Sequence, residues 1–223
     1  DVMRQMGVDI KTGVEVGKDI TIDELKKQGY KAFYIAIGCQ GSRKAGVAGE
    51  DAKGVMSAVD FLKEAGSTHE FPLEGDVVVI GGNVAIDVAR TSTRVGDYNV
   101  SMFCLEDRAN MPASEEEIEE AVEEGVKLDC GWGPKEILTE NGKVTGIVLK
   151  RCTSVKCSHV FLSIGQTTIW GDLLKGTKVE IDGVRVKADK LTYQTTDPDV
   201  FIGGDVYTGP RFAIDAIAAG KEA

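Results

Sequence analysis

Three short apolar runs frame the chain: VVVI at residues 77–80, VSMF at 100–103 and VFLSI at 160–164. Each is rich in β-branched or aromatic residues and lacks regular polar alternation, as in strands buried on both faces of a parallel sheet. Residues 85–94 supply the helix that follows the first run, so strand and helix alternate in the manner of an α/β fold. Residues 32–37, AFYIAI, read as a further buried strand ending at Gly38, and residues 57–64 as a short helix.

Other segments carry different periods. Residues 133–149 place Asn141-Gly142 between two alternating apolar runs, which predicts an antiparallel hairpin. Thr21 with Glu24 and Ser114 with Glu117 are capping-box pairs, each opening a helix. The first residues read as the tail of a helix running through Gly7 into a strand. Near the other end, residues 195–220 join a strand finishing in Gly203-Gly204-Asp205 to a small-residue helix begun by Gly209 and Pro210. Both ends look cut through structure, so the chain is expected to be a piece of a larger one. The whole pattern predicts two interleaved Rossmann-like domains with parallel sheets and an antiparallel excursion: residues 1–44 and 166–223 form one, residues 45–165 the other.

Composition narrows the function classes. The 223 residues, 42% hydrophobic, suffice for a sizeable core. The net charge of −10 is concentrated, because residues 115–124 hold seven glutamates and the remainder carries only −3. A solvated helix face accounts for that cluster better than a cation-binding site does. No basic patch with interleaved aromatics points to nucleic acid, and no apolar run approaches membrane-spanning length. Cysteines at 39, 104, 130, 152 and 157 form no CxxC pair, and the two histidines, His69 and His159, lie far apart in sequence. A zinc or iron-sulfur site within the chain is therefore not expected. The odd cysteine count without a signal peptide fits a reducing cytoplasm. Cys39 and Cys104, near the expected ligand edge, read as small buried residues rather than redox groups.

Candidate chemistry sits at two strand ends. VVVIGGNVAIDVAR, residues 77–90, places Gly81 and Gly82 between a strand and a helix, the context of a dinucleotide-binding fingerprint. The glycine count falls short. Setting Ala85 at the sixth position of GxGxxG/A puts Gly82 third but Ile80 first, and setting Gly81 first leaves Asn83 where the second glycine belongs. Either the phosphate loop, Gly81 to Val84 and Ala85, is one residue short, or a residue is missing; the second is favoured. Glu106, 25 positions after Gly81, would accept hydrogen bonds from ribose hydroxyls and repel a 2′-phosphate, which favours NADH over NADPH. Arg108 is the competing feature, since it could reach such a phosphate. At the second strand end, Gly203 and Gly204 let the backbone pass close to a ligand, Asp205 offers a carboxylate to sugar or ribityl hydroxyls, and Pro210 suits a first helical turn.

With these segments in place, the chain resembles the flavin-containing NAD(P)H oxidoreductases typified by the small subunit of glutamate synthase, within the pyridine nucleotide-disulfide oxidoreductase superfamily. AIGCQGSR from Ala36, AGEDAKGVMSAVDFL from Ala48, the Val77 segment, MPASEEEIEEA from Met111, FLSIGQ from Phe161 and VFIGGDVYTGPRFAIDAIAAG from Val200 carry the resemblance. It implies FAD held by the outer segments and NAD by the middle, with NADP the alternative. Asp205 would contact the flavin's ribityl or phosphate region, and the helix from Arg211 through Phe212 and Ala213 would lie near the isoalloxazine. Gly38 and Gly165 would mark the crossings between domains. No catalytic side chain is implied: hydride passes between cofactors, and electrons leave for iron-sulfur centres in a missing region or a partner subunit. The family's paired arginines are replaced by Leu105 and Glu106, its loop has three glycines, and near Val155 and Lys156 it has a longer excursion. Its N-terminal cysteine-rich region and first glycine motif are absent, so this piece alone should bind FAD poorly and be inactive. Two other readings stay open: a non-catalytic nucleotide-binding module of a redox complex, and a disulfide reductase whose cysteines lie outside the chain.

Overall fold

A computed structural model describes residues 2–68, 71–73, 75–96, 99–150 and 153–223, so His69 and Cys152 lie outside the described residues. The chain opens with α1 (Val2–Gln5), α2 (Ile22–Lys27), β1 (Phe33–Ile35), β2 (Gly41–Ser42) and β3 (Val55–Ser57). It continues through α3 (Ala58–Thr68), β4 (Val77–Gly81), α4 (Asn83–Arg94), β5 (Val100–Cys104), a 3-10 turn at Arg108–Asn110 and α5 (Glu115–Glu123). Then come β6 (Lys127–Cys130), β7 (Pro134–Glu140), β8 (Lys143–Leu149), β9 (Thr153–Lys156) and β10 (His159–Ser163). The last elements are β11 (Gln166–Thr167), β12 (Ile181–Asp182), β13 (Arg185–Val186), β14 (Val200–Ile202), α6 (Asp205–Thr208) and α7 (Ala213–Glu222). Two compact units result: a middle unit, Gly41–Gln166, and an outer unit made of Asp1–Gln40 and Thr167–Ala223.

The middle unit is built on a five-stranded parallel sheet of order β3-β10-β4-β5-β6. Its central strand shows why the sequence lacks alternation: Val77 and Val79 face one apolar layer, Val78 and Ile80 the other, and all four are buried. On the first face lie Phe61 of α3, Ile86 and Val88 of α4, and Ile118 of α5. Phe61 stacks on Phe161 of β10 with ring centroids 4.3 Å apart and meets Phe71 edge-on at 5.1 Å. The second face is covered by the antiparallel sheet β7-β8-β9 through Ile137, Ile147 and Leu149. Asn141 (φ 51°) and Gly142 (φ 75°) make the expected tight turn of its hairpin, while β9, β3 and β6 were not legible as strands. The acidic helix α5 has its capping box, and Arg90 and Arg94 of α4 both bond Glu124 just beyond its last turn. Part of the glutamate cluster thus ties two helices together instead of only facing water.

The outer unit has a smaller core, Ile35, Val186, Val200, Ile202 and Val206, around the two-stranded parallel pair β1–β14. Its first element corrects the expectation of a helix running through Gly7 into a strand. Gly7 adopts φ 87°, its N–H bonds the Arg4 carbonyl and the Val8 N–H bonds the Met3 carbonyl, so the helix closes in a glycine-type cap. No strand follows directly. Thr21 caps α2 as the capping box requires.

Candidate functional site

In the middle unit the chain order reverses direction between β4 and β10, and ligands of open parallel sheets bind beyond the carboxyl ends of strands at such a switch point. Gly81 closes β4 there with φ 148°, and a Cβ on it would lie 2.1 Å from the Ser163 carbonyl oxygen of β10. Only glycine fits. Gly82 is the N-cap of α4 with φ −103°, and its added Cβ would meet Pro112 Cγ at 2.5 Å. No side chain caps the helix among the described residues, so the first N–H groups, from Asn83, Val84 and Ala85, remain as donors at the positive end of a 12-residue helix. Such a terminus fits a pyrophosphate, and the helix starts two residues earlier than the Ala85 expected from the sequence.

Glu106 lies two residues beyond β5, on the same sheet edge, and is exposed. Its Oε2 accepts a hydrogen bond from the Cys104 thiol at 3.0 Å. Burial pushes the Cys104 thiol up to about 12, and the Glu106 hydrogen bond adds to that shift. Arg108, weighed from the sequence as a neighbour of Glu106, is instead paired with Glu115 at the start of α5. Gly165, two residues past β10, has φ 114° and accepts the Arg43 N–H at its carbonyl. Arg43 and Pro112 are the residues that sequence reasoning missed at this edge. Their signal was present, in the AIGCQGSR and MPASEEE stretches, but neither residue type announces a contact. A cavity of 370 Å³ lined by Arg43, Lys44, Ser57, Asp60 and Leu162 lies in the same unit.

In the outer unit, β1 and β14 run parallel, so the segments after them emerge together. The Gly203 N–H bonds the Ile35 carbonyl at 3.2 Å, and Cys39 Sγ, next to Gly38 (φ 66°), donates to the Asp205 carbonyl at 3.1 Å. Cys39 is half-buried, where a buried residue was expected, while Cys104 is buried as expected. Gly204 has φ 69° and ψ −157°, a conformation reserved for glycine. A Cβ on Gly203 would meet the Tyr34 hydroxyl at 1.9 Å, the far end of an exposed side chain that would have to move.

Two expectations about this segment are corrected. Asp205 starts the one-turn helix α6, and its Oδ1 already accepts the Arg211 N–H at 3.1 Å, so its carboxylate is not wholly free. The following helix does not begin at Pro210 or Arg211. Gly209 (φ 80°, ψ 174°) breaks the chain direction, the Asp205 bond closes a loop over residues 205–211, and Phe212, extended and 81% exposed, is the N-cap of a helix starting at Ala213. Of its alanines, Ala219 is buried while Ala213, Ala216 and Ala218 are exposed. None of the anticipated cofactor residues lines the apolar cavity of 720 Å³ formed by Ile22, Phe33, Ile35, Ile37, Trp170 and Leu173 among others.

Among the described residues, no three His, Cys, Asp or Glu side chains cluster as metal ligands, and no helix is long and apolar enough to cross a membrane.

Comparison with known proteins shows the family and the fold. The chain is 32% identical to the NADP(+)-dependent formate dehydrogenase subunit beta of Moorella thermoacetica, across all of this chain and 35% of that protein. It is 30% identical to the glutamate synthase [NADPH] small chain of Escherichia coli, across all of this chain and 55% of the relative. The chain thus spans between a third and little more than half the length of these curated relatives. Among solved structures, Lactococcus lactis thioredoxin reductase superposes with a TM-score of 0.69 over 86% of this chain and 63% of its own, at 22% identity, which shows a shared fold. The sequence profile described as pyridine nucleotide-disulphide oxidoreductase matches residues 1–220, and the chain belongs to that family.

Proposed function

We propose that the protein transfers a hydride between NADH and FAD, with the middle unit holding the dinucleotide and the outer unit holding part of the flavin site. The observation that carries this reading is the Gly81–Gly82 turn opening onto an uncapped 12-residue helix, with Glu106 beyond the next strand. Membership of an oxidoreductase family that uses FAD and NAD(P) fits it. When bound, the two cofactors supply the hydride chemistry themselves.

The chain's own residues bind and orient. N–H groups of Asn83, Val84 and Ala85 would receive the pyrophosphate, and Gly82 leaves room for it beside the Pro112 ring. Glu106 would accept the ribose hydroxyls and disfavour a 2′-phosphate, so NADH is the preferred donor even though both relatives above carry NADP in their names. In the outer unit, the second oxygen of Asp205 is left for a ribityl or ribose hydroxyl, while the first holds the loop to Arg211. Electrons would leave through iron-sulfur centres in the rest of the protein or in a partner subunit, and the setting would be the cytoplasm.

The test uses full-length protein. Addition of NADH under anaerobic conditions should bleach the flavin absorbance. Nucleotide binding without bleaching would instead identify a non-catalytic module.

A further inference from the structure

We infer that Cys104 and Cys130 form a redox-sensitive thiol pair, closing to a disulfide by exchange with a small-molecule disulfide such as oxidised glutathione. The two residues are register partners at the last positions of the neighbouring parallel strands β5 and β6. Adjacent strands lie about 4.8 Å apart, inside the range of about 4.4–6.8 Å over which Cα atoms are bridged. Register partners project from the same sheet face, and both side chains belong to the same apolar layer. After Cys130 the chain turns at Gly131 (φ 77°) yet stays bonded to its neighbour, the Gly131 N–H to the Glu106 carbonyl at 2.8 Å and the Trp132 N–H to the Cys104 carbonyl at 2.9 Å, so the two cysteines are held side by side. Cys104 is fully buried, but Cys130 is half-buried and lines a groove of 690 Å³ with Arg108, Ile118, Val122 and Leu128.

This asymmetry gives the order of events. The Cys130 thiol, which burial holds above its ordinary value, first gives its proton to solvent through the groove; its thiolate then attacks the glutathione disulfide, forming a mixed disulfide and releasing one glutathione thiolate. Cys104 then attacks the Cys130 sulfur and expels the second glutathione as its thiolate, which takes up the proton that Cys104 loses, while the Glu106 carboxylate only orients the thiol. Two protein thiols are oxidised and one glutathione disulfide is reduced to two thiols. Closure removes the thiol hydrogen that Cys104 donates to the Glu106 carboxylate. The consequence for NADH rests on the function proposed above; formation of the bridge does not.

Full-length protein would be equilibrated in glutathione buffers from fully reduced to fully oxidised, alkylated, digested and mapped by mass spectrometry. The expected result is a peptide pair linked through Cys104 and Cys130, with two fewer free thiols, reversed by dithiothreitol and abolished in C130S. C130S alters a half-buried position and leaves the Cys104 contact to Glu106 in place, so it should fold. Glutathione retained on Cys130 with Cys104 still alkylatable after denaturation would overturn the proposal, as would a bridge from either residue to another cysteine. Because peptide mapping needs no bound nucleotide, a protein that bridges but ignores NADH would refute the function and leave the thiol pair standing.

Discussion

Gly81 and Gly82 are adjacent in one motif, yet the structure gives them different reasons to be glycine, and alanine substitution should separate the two. At Gly81 the added Cβ would sit 2.1 Å from a backbone oxygen of the neighbouring strand, at φ 148°. Overpacking of this kind costs about 1–3 kcal/mol, and a non-glycine residue at unfavourable positive φ adds about 1–2 kcal/mol. Gly81→Ala should therefore lose roughly 3 kcal/mol, which for a chain of this size lowers Tm by about 6–12 °C. At Gly82 the backbone φ of −103° carries no such cost, and the clash is with the ring of an exposed proline in a loop that can yield. Loss of a glycine N-cap leaves a penalty of about 1 kcal/mol. Gly82→Ala should instead weaken NADH binding by about tenfold or more, since its methyl occupies the approach to the helix N–H groups. Thermal unfolding followed by circular dichroism, with NADH titration by calorimetry on full-length protein, reads both quantities. Equal Tm losses in the two variants would refute the steric argument, and unchanged NADH affinity in Gly82→Ala would remove this turn from the nucleotide site.

Glu106→Arg should raise the NADPH/NADH ratio of kcat/KM by about tenfold or more, as an arginine replaces a repelling carboxylate near the 2′-position; an unaltered ratio would take Glu106 out of the site. Asp205→Ala should lower flavin retention in purified full-length protein more than Asp205→Asn, because asparagine keeps an acceptor for the Arg211 N–H; equal retention in all three proteins would contradict the assignment. Burial opposes ionisation of Asp197, but N–H groups of Lys178 and Asp199 and the Lys26 ammonium outweigh it and hold the carboxyl below the ordinary 3.8. A depressed folded value means stabilisation that is present above pH 3.8 and lost as pH falls through the lowered value. Asp197→Asn should thus cost about 1–3 kcal/mol at neutral pH, and denaturant midpoints of variant and parent should converge in acid; a gap that persists there would contradict this origin.

The sequence revealed what rests on strong local signals. Four consecutive apolar residues in β4, the Asn141-Gly142 turn and the two capping boxes each admit few alternatives, and the structure has them where the sequence placed them. Strands β3 and β6 escaped because their character is set by neighbours: VMS and KLDC become strands by pairing with β10 and β5 at the two edges of a sheet. The helix after Pro210 was misplaced for a related reason. Proline suits a first turn, but the Asp205 carboxylate six residues earlier takes the Arg211 N–H and holds the segment in a loop. The pairing of Cys104 with Glu106 had no sequence signal at all, since side chains two residues apart meet only where a strand has ended.

The two glycine turns also differ in what supports them. The β4 turn stands on a sheet covered on both faces, with Phe61, Ile86 and Met102 on one side and Ile137, Ile147 and Leu149 on the other, all essentially removed from solvent. The β14 turn stands on a two-stranded pair whose buried cluster holds five residues, and the helix beyond it leaves Ile214 68% and Ile217 56% exposed. An isolated pair of strands is marginal without further packing, whereas five strands with two covered faces form an independent core. The geometry of the Gly81–Gly82 turn is therefore fixed by backbone packing within the middle unit itself, as the Gly81 contact with Ser163 shows. That of the Asp205 loop depends on a few individual bonds, from Cys39 to the Asp205 carbonyl and from Arg211 to its carboxylate. Within this chain, destabilisation should consequently reach the loop over residues 205–211 before the Gly81–Gly82 turn, which hydrogen exchange would read as earlier loss of amide protection there.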